Sequence, residues 1–555
     1  MRRFISASDV EMLSFIGQKT LYIDEGDVVT SIAKEMATKY GIKIVVGSPP
    51  QNGQPEESSK PPATSVKPST LNFVPDFAPS GPWLPSEFRK QFPAEPAKEK
   101  IRDAILLRNG TIVWPGQGIF QGDIQIAKGK IVSILKSSEI QAAEEIDISG
   151  KFVFPGIIDP HVHLGIFAPF ETDAKNETRA ALWGGVTTIG CYLYEKESYL
   201  PKLEQFFKKV KTYSYADILF HLTLSTEQHL EDIPRCVNDF GIRSFKIYMC
   251  GVEGIIPNIE DSFMRRVYEK LSAVGKKCVV CIHAENASLV RWATEDIASR
   301  DGMKTTVKEW SETHPALAEE EAIRRAAFLT REFKEVSTYF VHVSTKGGVE
   351  AVSKIKSEAD NVYAETTSPY LLFTIERATG NIPKWLPPLR DRDSQEALWE
   401  NLRRGKLDTL GTDSVPMSRD LKGLGKSVWE AIPNAPSMEH HLPGILTEGF
   451  IHRGIALEFL ADLMTRRPAE IFGIFPQKGS LMPGCDADLV VVDMDRWLKV
   501  DKAQIKSASS FSLFEGKMLT GWTFLLVKGG KIVIKDGQWV MDPPSSQALN
   551  EIKNK

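Results

Sequence analysis

The run FPGIIDPHVH, Phe154 to His163, decides the fold. It is apolar for most of its length and closes on two histidines separated by one valine. On an extended strand, side chains two apart point to the same face, so His161 and His163 can reach one ion while Val162 packs on the other side. Neutral imidazole is the commonest nitrogen ligand for zinc. A histidine pair alone is equally at home in a hydrogen-bonded core, so the decision rests on the chain downstream of it.

Downstream the chain alternates regularly. Eight strand-like runs can be counted: GIIDPHVH, VTTIGCY, ADILFHLTLS, SFKIYM, CVVCIHA, TYFVHVS, VYAETT and DTLGTDS. Helical stretches lie between them, among them Lys175 to Trp183, Ser262 to Val274, Glu319 to Phe333 and Ser394 to Arg404. Eight β/α units in one stretch of chain predict a closed (β/α)8 TIM barrel, an α/β fold whose active site lies at the C-terminal ends of the strands. The polar side chains fall at that end: His161 and His163 close the first run, His283 the fifth, His342 the sixth and Asp413 the eighth.

Lys246 stands inside the fourth run. Phe245, Ile247 and Met249 share one face and are expected against outer helices, which turns Lys246 toward the barrel interior. An interior ammonium is costly unless paired or neutralised. One reading is a lysine at a wet strand end beside a carboxylate. The other is a lysine carbamate bridging two cations, with His161, His163, Lys246 and Asp413 on one and Lys246, His283 and His342 on the other.

The flanks read differently. Between Ile101 and Val153 come AILLRNGTIVW, GDIQIAKGKIVSIL and ISGKFVF, with Asn109-Gly110 a favoured turn pair. The texture returns after Lys478 in DADLVVVD, TFLLVKGGKIVI and DGQWV. Two β-rich flanks predict one β-sandwich built from residues 101–154 and 476–545, with the barrel over 155–475 and a tail over 546–555. Residues 1–46 read as a small module, strand TLYI, a helix from Val28 to Tyr40 and strand IKIVV, and 47–100 as a proline-rich linker.

At 555 residues, 42% hydrophobic, the chain can bury a large core. A formal net charge of -4 without long basic tracts gives no footprint for nucleic acid, so a small-molecule substrate is expected. Asp9 and Glu11 interrupt what would be the apolar core of a secretory signal, and no uncharged run approaches the roughly 20 residues needed to span a bilayer. A cytoplasmic protein with no membrane partner is expected. Among six cysteines, Cys278 and Cys281 lie three apart on a strand and face opposite ways, as two reduced buried thiols rather than a metal knuckle.

FPGIIDPHVHLG, RAALWGGVTTIG, SFKIYM, IHAEN, VHVST, AETTSPYLLF, LPPLR, GTDSVP, PAEIFGI and KGSLMPGCDADLVVVD, in that order, resemble the cyclic amidases of the amidohydrolase superfamily: hydantoinases, dihydropyrimidinases and allantoinases. The resemblance spans roughly residues 101 to 545. It implies two divalent ions, zinc by family habit, bridged by carboxylated Lys246, and usually a homotetramer. It implies hydrolysis of a cyclic amide or ureide by a metal-activated hydroxide, with Asp413 as general base and then acid and Asn434 at the substrate-amide position. Alternatives are a different amide, lactam or imide as substrate, or a catalytically silent assembly protein of the same fold.

The chain departs from the family pattern at several places. Gly251 stands where hydantoinases carry an oxyanion-holding tyrosine, Leu386 where a substrate donor precedes PPLR, and Ser414 where a histidine follows the metal-bound aspartate. Thr367 and Pro369 change a further motif. His221 and His229 match no ligand position and read as structural, His314 as helix-entry packing or a lid residue, and His440 with His441 as an exposed or interfacial pair. FISASDV with VVTSIAKEMATKYGIKIV resembles the N-terminal module of the ethanolamine-utilisation cobalamin adenosyltransferase, which implies an association with bacterial microcompartments. The plain alternative is a small accessory fold that aids assembly.

Overall fold

The computed structural model describes residues 104–135, 142–300, 306–543 and 545–550, and within the first 46 only 4–5, 20–23, 28–29, 34, 37–38 and 41–46. The chain divides into two units, Met1–Ser69 and Thr70–Lys555. In the first, Phe4–Ile5 pairs in parallel with Val28–Val29, and Thr20–Ile23 with Lys43–Val46. The helix expected from Val28 therefore begins later, because Val28 and Val29 are taken by a strand; Lys34, Ala37 and Thr38 are helical. The linker expected over 47–100 and most of the module lie outside the described residues.

In the second unit eight parallel strands follow one another in sequence order: β1 Ile157–Val162, β2 Val186–Leu193, β3 Asp217–Thr223, β4 Ser244–Tyr248, β5 Cys278–His283, β6 Val336–Phe340, β7 Val362–Thr367 and β8 Thr409–Gly411. A parallel bridge between Val162 and Ser414 joins the first to the last, with His163 N–H donating to Ser414 O at 2.9 Å. This is the (β/α)8 barrel. All eight predicted strands are present, and the four expected helices appear as Phe170–Trp183, Asp261–Val274, Ala316–Thr330 and Arg392–Arg403. The first starts early because Pro169, whose fixed φ suits a helix entry, stands at its N-cap.

Period-two alternation sorts the strands' side chains. On β4, Phe245 and Ile247 join the core between barrel and helices while Lys246 points inward. Cys278 packs in that outer core and Cys281 in the barrel floor with Tyr192, Leu219, Tyr339 and Phe472; both are free thiols, as expected.

Both flanks enter one nine-stranded sheet, in which Leu489–Asp493 pairs with Phe152–Pro155 on one side and Trp522–Lys528 on the other. Val491, Leu525, Val527, Val153 and Ile112 face a core of the sheet's own, whereas Val490, Val492, Leu526 and Phe154 face the barrel. The turn expected at Asn109-Gly110 is instead a bulge inside strand Ile105–Trp114, where the register shifts against Gly118–Ala127. Asn109 takes φ 59° and its N–H donates to Asp123, and a side chain at Gly110 would lie 2.6 Å from Ile148, so the pair suits a bulge there.

Where sheet meets barrel, four charges, Asp217, Asp488, Lys478 and Lys528, are buried together beside a partly buried Asp486. Lys478 binds Asp217, with Asp488 at 2.6 Å and Asp486 at 2.9 Å, and Lys528 lies 2.9 Å from Asp217. Removing one member of such a cluster strands the others. Lys478→Met is expected to cost about 3–5 kcal/mol, read by urea unfolding. The first residues of the segment expected as a tail dock on β3: Ala548 bridges Ile218 in parallel, and the Asn550 side chain accepts from Phe220 N–H at 2.5 Å. It supplies the partners that β3 lacks there, since β3 pairs with β4 only at Leu222 and Thr223.

Candidate active site

The C-terminal strand ends bring the six predicted side chains to one mouth of the barrel. His161 lies on β1 with His163 just beyond it, Lys246 on β4, and His283 is the last residue of β5. His342 and Asp413 sit two residues past β6 and β8, where the backbone has turned to φ 42° and 53°. Left-handed conformations of non-glycine residues cost energy and gather at functional sites. Here they turn two polar side chains back over the strand ends.

The donors form two groups. His161 Nε2 and His163 Nε2 stand 3.3 and 3.2 Å from Asp413 Oδ1, and these three side chains have the spacing to hold one metal ion. His283 Nδ1 faces His342 Nε2 at 2.9 Å. In each group a carboxylate takes the far nitrogen of an imidazole: Glu365 Oε1 lies 2.9 Å from His161 Nδ1, and Glu285 Oε2 lies 2.9 Å from His283 Nε2. Such outer contacts fix ring orientation and leave the other nitrogen for the site.

Lys246 lies between the groups. Its Nζ is 4.8 Å from the ring centres of Tyr192 and Tyr248; Tyr192 lies 4.5 Å from the His161 ring, and Tyr248 5.3 Å from that of His283. The side chain is wholly buried, and among the described residues its Nζ has no hydrogen-bond or ion-pair partner. The carboxylate-paired reading finds no counterpart here. Burial pushes its pKa down to about 8, against the pull of neighbouring anionic groups.

Burial also lowers His161 to about 3 and depresses His163, His283 and His342, so the four imidazoles are neutral at physiological pH. Burial would raise Asp413, but the adjacent His161 and His163 outweigh it and hold the carboxyl ionised. Neutral imidazoles and an ionised carboxylate are the forms that bind metal.

Asn434, with φ 65°, is the neighbour of Asp413: its Nδ2 donates to Asp413 Oδ2 at 2.7 Å and to Asp413 O at 3.0 Å, and its Oδ1 accepts from Leu386 N–H at 3.0 Å. His314 precedes its helix as expected, yet it is buried and its Nδ1 lies 3.1 Å from Glu285, one step from His283. His221, against Ser244 Oγ at 2.6 Å, and His229, against Glu197 O at 2.8 Å, make hydrogen bonds inside the fold. His440 and His441 are buried, not exposed: helix Met438–Ile445 is covered on every side, and the two rings meet Ser512 and Ser368. Sequence reasoning missed Glu285 and Glu365 as ring-orienting partners, though the motifs IHAEN and AETT contain them.

Residues 152–540 match the model of the amidohydrolase family. The chain belongs to that family. It is 34% identical over 466 residues to the D-hydantoinase of Geobacillus stearothermophilus, covering 81% of this chain and 96% of that one. It is 30% identical over 451 residues to the allantoinase of Rubrobacter xylanophilus, covering 79% and 96%. The crystal structure of a D-hydantoinase superposes with a TM-score of 0.75 at 30% identity, covering 81% of this chain and 99% of that one.

The places where this amidohydrolase departs from the cyclic-amidase pattern have structural causes. A Cβ at Gly251 would lie 2.1 Å from Ile256 O, because the loop bridges back on itself between Val252 and Ile256. No side chain fits there. Ser414 helps close the barrel, its O receiving His163 N–H and its Oγ receiving Ser437 N–H at 3.2 Å. Leu386 contributes its backbone N–H to Asn434 rather than a side-chain donor. Thr367 is the last residue of β7, and Pro369 opens the short helix Ser368–Leu372, where its missing N–H costs nothing.

Proposed function

We propose that the barrel mouth hydrolyses a cyclic amide or ureide of the hydantoin, dihydropyrimidine or allantoin type. The observation that carries this reading is the convergence of two donor groups around one buried lysine that has no hydrogen-bond partner among the described residues. The donor set suits two divalent ions, which we take to be zinc: His161, His163 and Asp413 beside one, His283 and His342 beside the other, and Lys246, as its carbamate, between them. An Nζ without a hydrogen-bond partner among the described residues, whose pKa burial lowers toward neutrality, is the group that carbamate formation needs. When bound, such ions polarise an amide carbonyl and keep water nucleophilic near neutral pH, lowering its pKa from about 15.7 to roughly 7.

The chain's own residues then handle the proton. Asp413 turns Oδ1 to the histidines and Oδ2 to Asn434. It accepts a proton from the attacking water and returns it to the ring nitrogen as the C–N bond breaks, so that water's hydroxyl ends on the carbonyl carbon and its hydrogen on nitrogen. The product is an N-carbamoyl or amide acid. Asn434 holds Asp413, and the family resemblance assigns it to the substrate-amide position. Tyr248, on the inward face of β4, stacks beside His283 and Lys246 among the same donors.

The test is metal analysis of the purified protein, then ring opening of hydantoin, dihydrouracil and allantoin. About two divalent ions per chain and turnover of at least one ring are expected. Metal without turnover across the panel would move the reading to another amide, lactam or imide. Absence of metal after growth with added zinc would move it to a silent relative of this fold. Among the described residues no helix is long and apolar enough to cross a membrane.

A further inference from the structure

Two lysines lie buried beside this site without a carboxylate partner among the described residues. Lys422 is wholly buried and follows Ser418, the N-cap of the short helix Arg419–Lys422. Its Nζ donates to three backbone carbonyls: Asn434 at 2.7 Å, Ile432 at 2.9 Å and Lys384 at 3.1 Å. Lys384 Nζ in turn donates to Val428 O at 2.8 Å and Ala431 O at 2.6 Å and stands 4.0 Å over the Trp310 ring.

Resting on the proposed role of Asp413, we infer that Lys422 is a positioning residue for that carboxylate, acting through Asn434. An ammonium has three donors and no acceptor, so one group can gather three carbonyls that would otherwise repel or seek water. The carbonyls it gathers belong to the two segments that meet at Asn434. Asn434 N–H donates to Lys384 O at 2.8 Å, and its side-chain oxygen takes Leu386 N–H, so segments 384–386 and 432–434 are tied at three points. The clamp holds Asn434 in its left-handed backbone, and that conformation aims Nδ2 at Asp413 Oδ2.

The consequence is selective. Asp413 Oδ1 is oriented by His161 and His163, whereas Oδ2, the oxygen free to exchange a proton, is oriented by Asn434 alone among the described residues. Removing the ammonium releases Asn434 and then Oδ2, while the donors around the metals stay in place. Burial and the charge of Lys384 both push the Lys422 pKa down, so three converging carbonyl dipoles are the compensation for keeping a donor there.

The experiment compares Lys422→Met, Asn434→Ala and the double variant in the full-length, metal-loaded protein, using the ring of the panel turned over fastest. Lys422→Met is expected to lower kcat about 100-fold with KM changed less than about threefold and metal content unchanged, because a displaced catalytic group costs about that much. The double variant is expected to be no slower than Asn434→Ala, since both act on one contact. An unchanged kcat, or losses that multiply, would overturn the clamp. A second readout needs no turnover: in a crystal structure of Lys422→Met, Asn434 Nδ2 should leave hydrogen-bond distance of Asp413 Oδ2. If it stays, the clamp is refuted even where the wild-type protein opens none of the three rings; if it moves in that case, the clamp stands and the reaction reading fails.

Discussion

Lys246→Ala is expected to abolish ring opening and to lose most of the bound metal, with partial recovery of both on adding formate, acetate or propionate. The cause is the cavity the substitution makes. Lys246 occupies a slot between the Tyr192 and Tyr248 rings, with its Nζ short of any hydrogen bond among the described residues. If the lysine carries a carbamate, truncation removes two anionic oxygens between two pairs of neutral imidazoles and leaves Asp413 as the only charged donor for both ions. A binuclear site loses half its anionic protein ligands at once, and the one that reaches both ions. A short carboxylic acid fits the vacated slot and restores an anion of the same shape. Plasma emission analysis of the variant, with and without the acid, reads the metal directly. If the variant keeps both ions and its rate, Lys246 bridges nothing and the reading of the site collapses. Urea unfolding of the variant is read alongside, because truncating a wholly buried side chain leaves a cavity that costs about 2–5 kcal/mol, and recovery with the acid shows that the loss is of ligation rather than of fold.

The barrel was legible because its strands are almost wholly buried and therefore read as apolar runs, four of which carry a histidine or aspartate at or just past the same end. FPGIIDPHVH and SFKIYM carried period-two alternation strong enough to place His161, His163 and Lys246 on inward faces, and the structure puts them there. Other features were hidden for physical reasons. Asn109-Gly110 has the chemistry of a tight turn, and the same left-handed preference serves a bulge, so only the register of the partner strand separates the two. His440-His441 reads as polar, yet tertiary packing covers its helix on every face, and single serines meet its ring nitrogens. Glu285 and Glu365 stand in the motifs IHAEN and AETT with nothing local in the sequence to set them apart from other carboxylates. Their work appears only when His283 and His161 arrive from the same or other strands to share a proton with them. Lys422 was the least legible, since its partners are backbone carbonyls, which every sequence has.

Asp413→Ala is expected to separate turnover from binding. Its Oδ1 stands beside His161 and His163, its Oδ2 beside Asn434, and burial is overcome by those imidazoles to keep it ionised. Substrate binding would draw on the pocket walls and on the carbonyl-polarising ions, which still have four histidines and Lys246 as donors without the carboxylate. The proton transfer needs the carboxylate, because the hydrogen leaving water must reach a ring nitrogen that departs poorly as an anion. General acid–base catalysis by a positioned group is worth about 100- to 10,000-fold, and the loss in kcat should fall in that range while KM moves less than about threefold. The four histidines and Lys246 remain, so Asp413→Ala should hold more metal than Lys246→Ala, which lets metal analysis on the two variants divide the roles. Comparable losses of kcat and metal in both would make Asp413 a ligand only. A kcat within about tenfold of wild type, with metal retained, would hand the proton to another group, and Tyr248, on the inward face of β4 against His283, is the next side chain to replace.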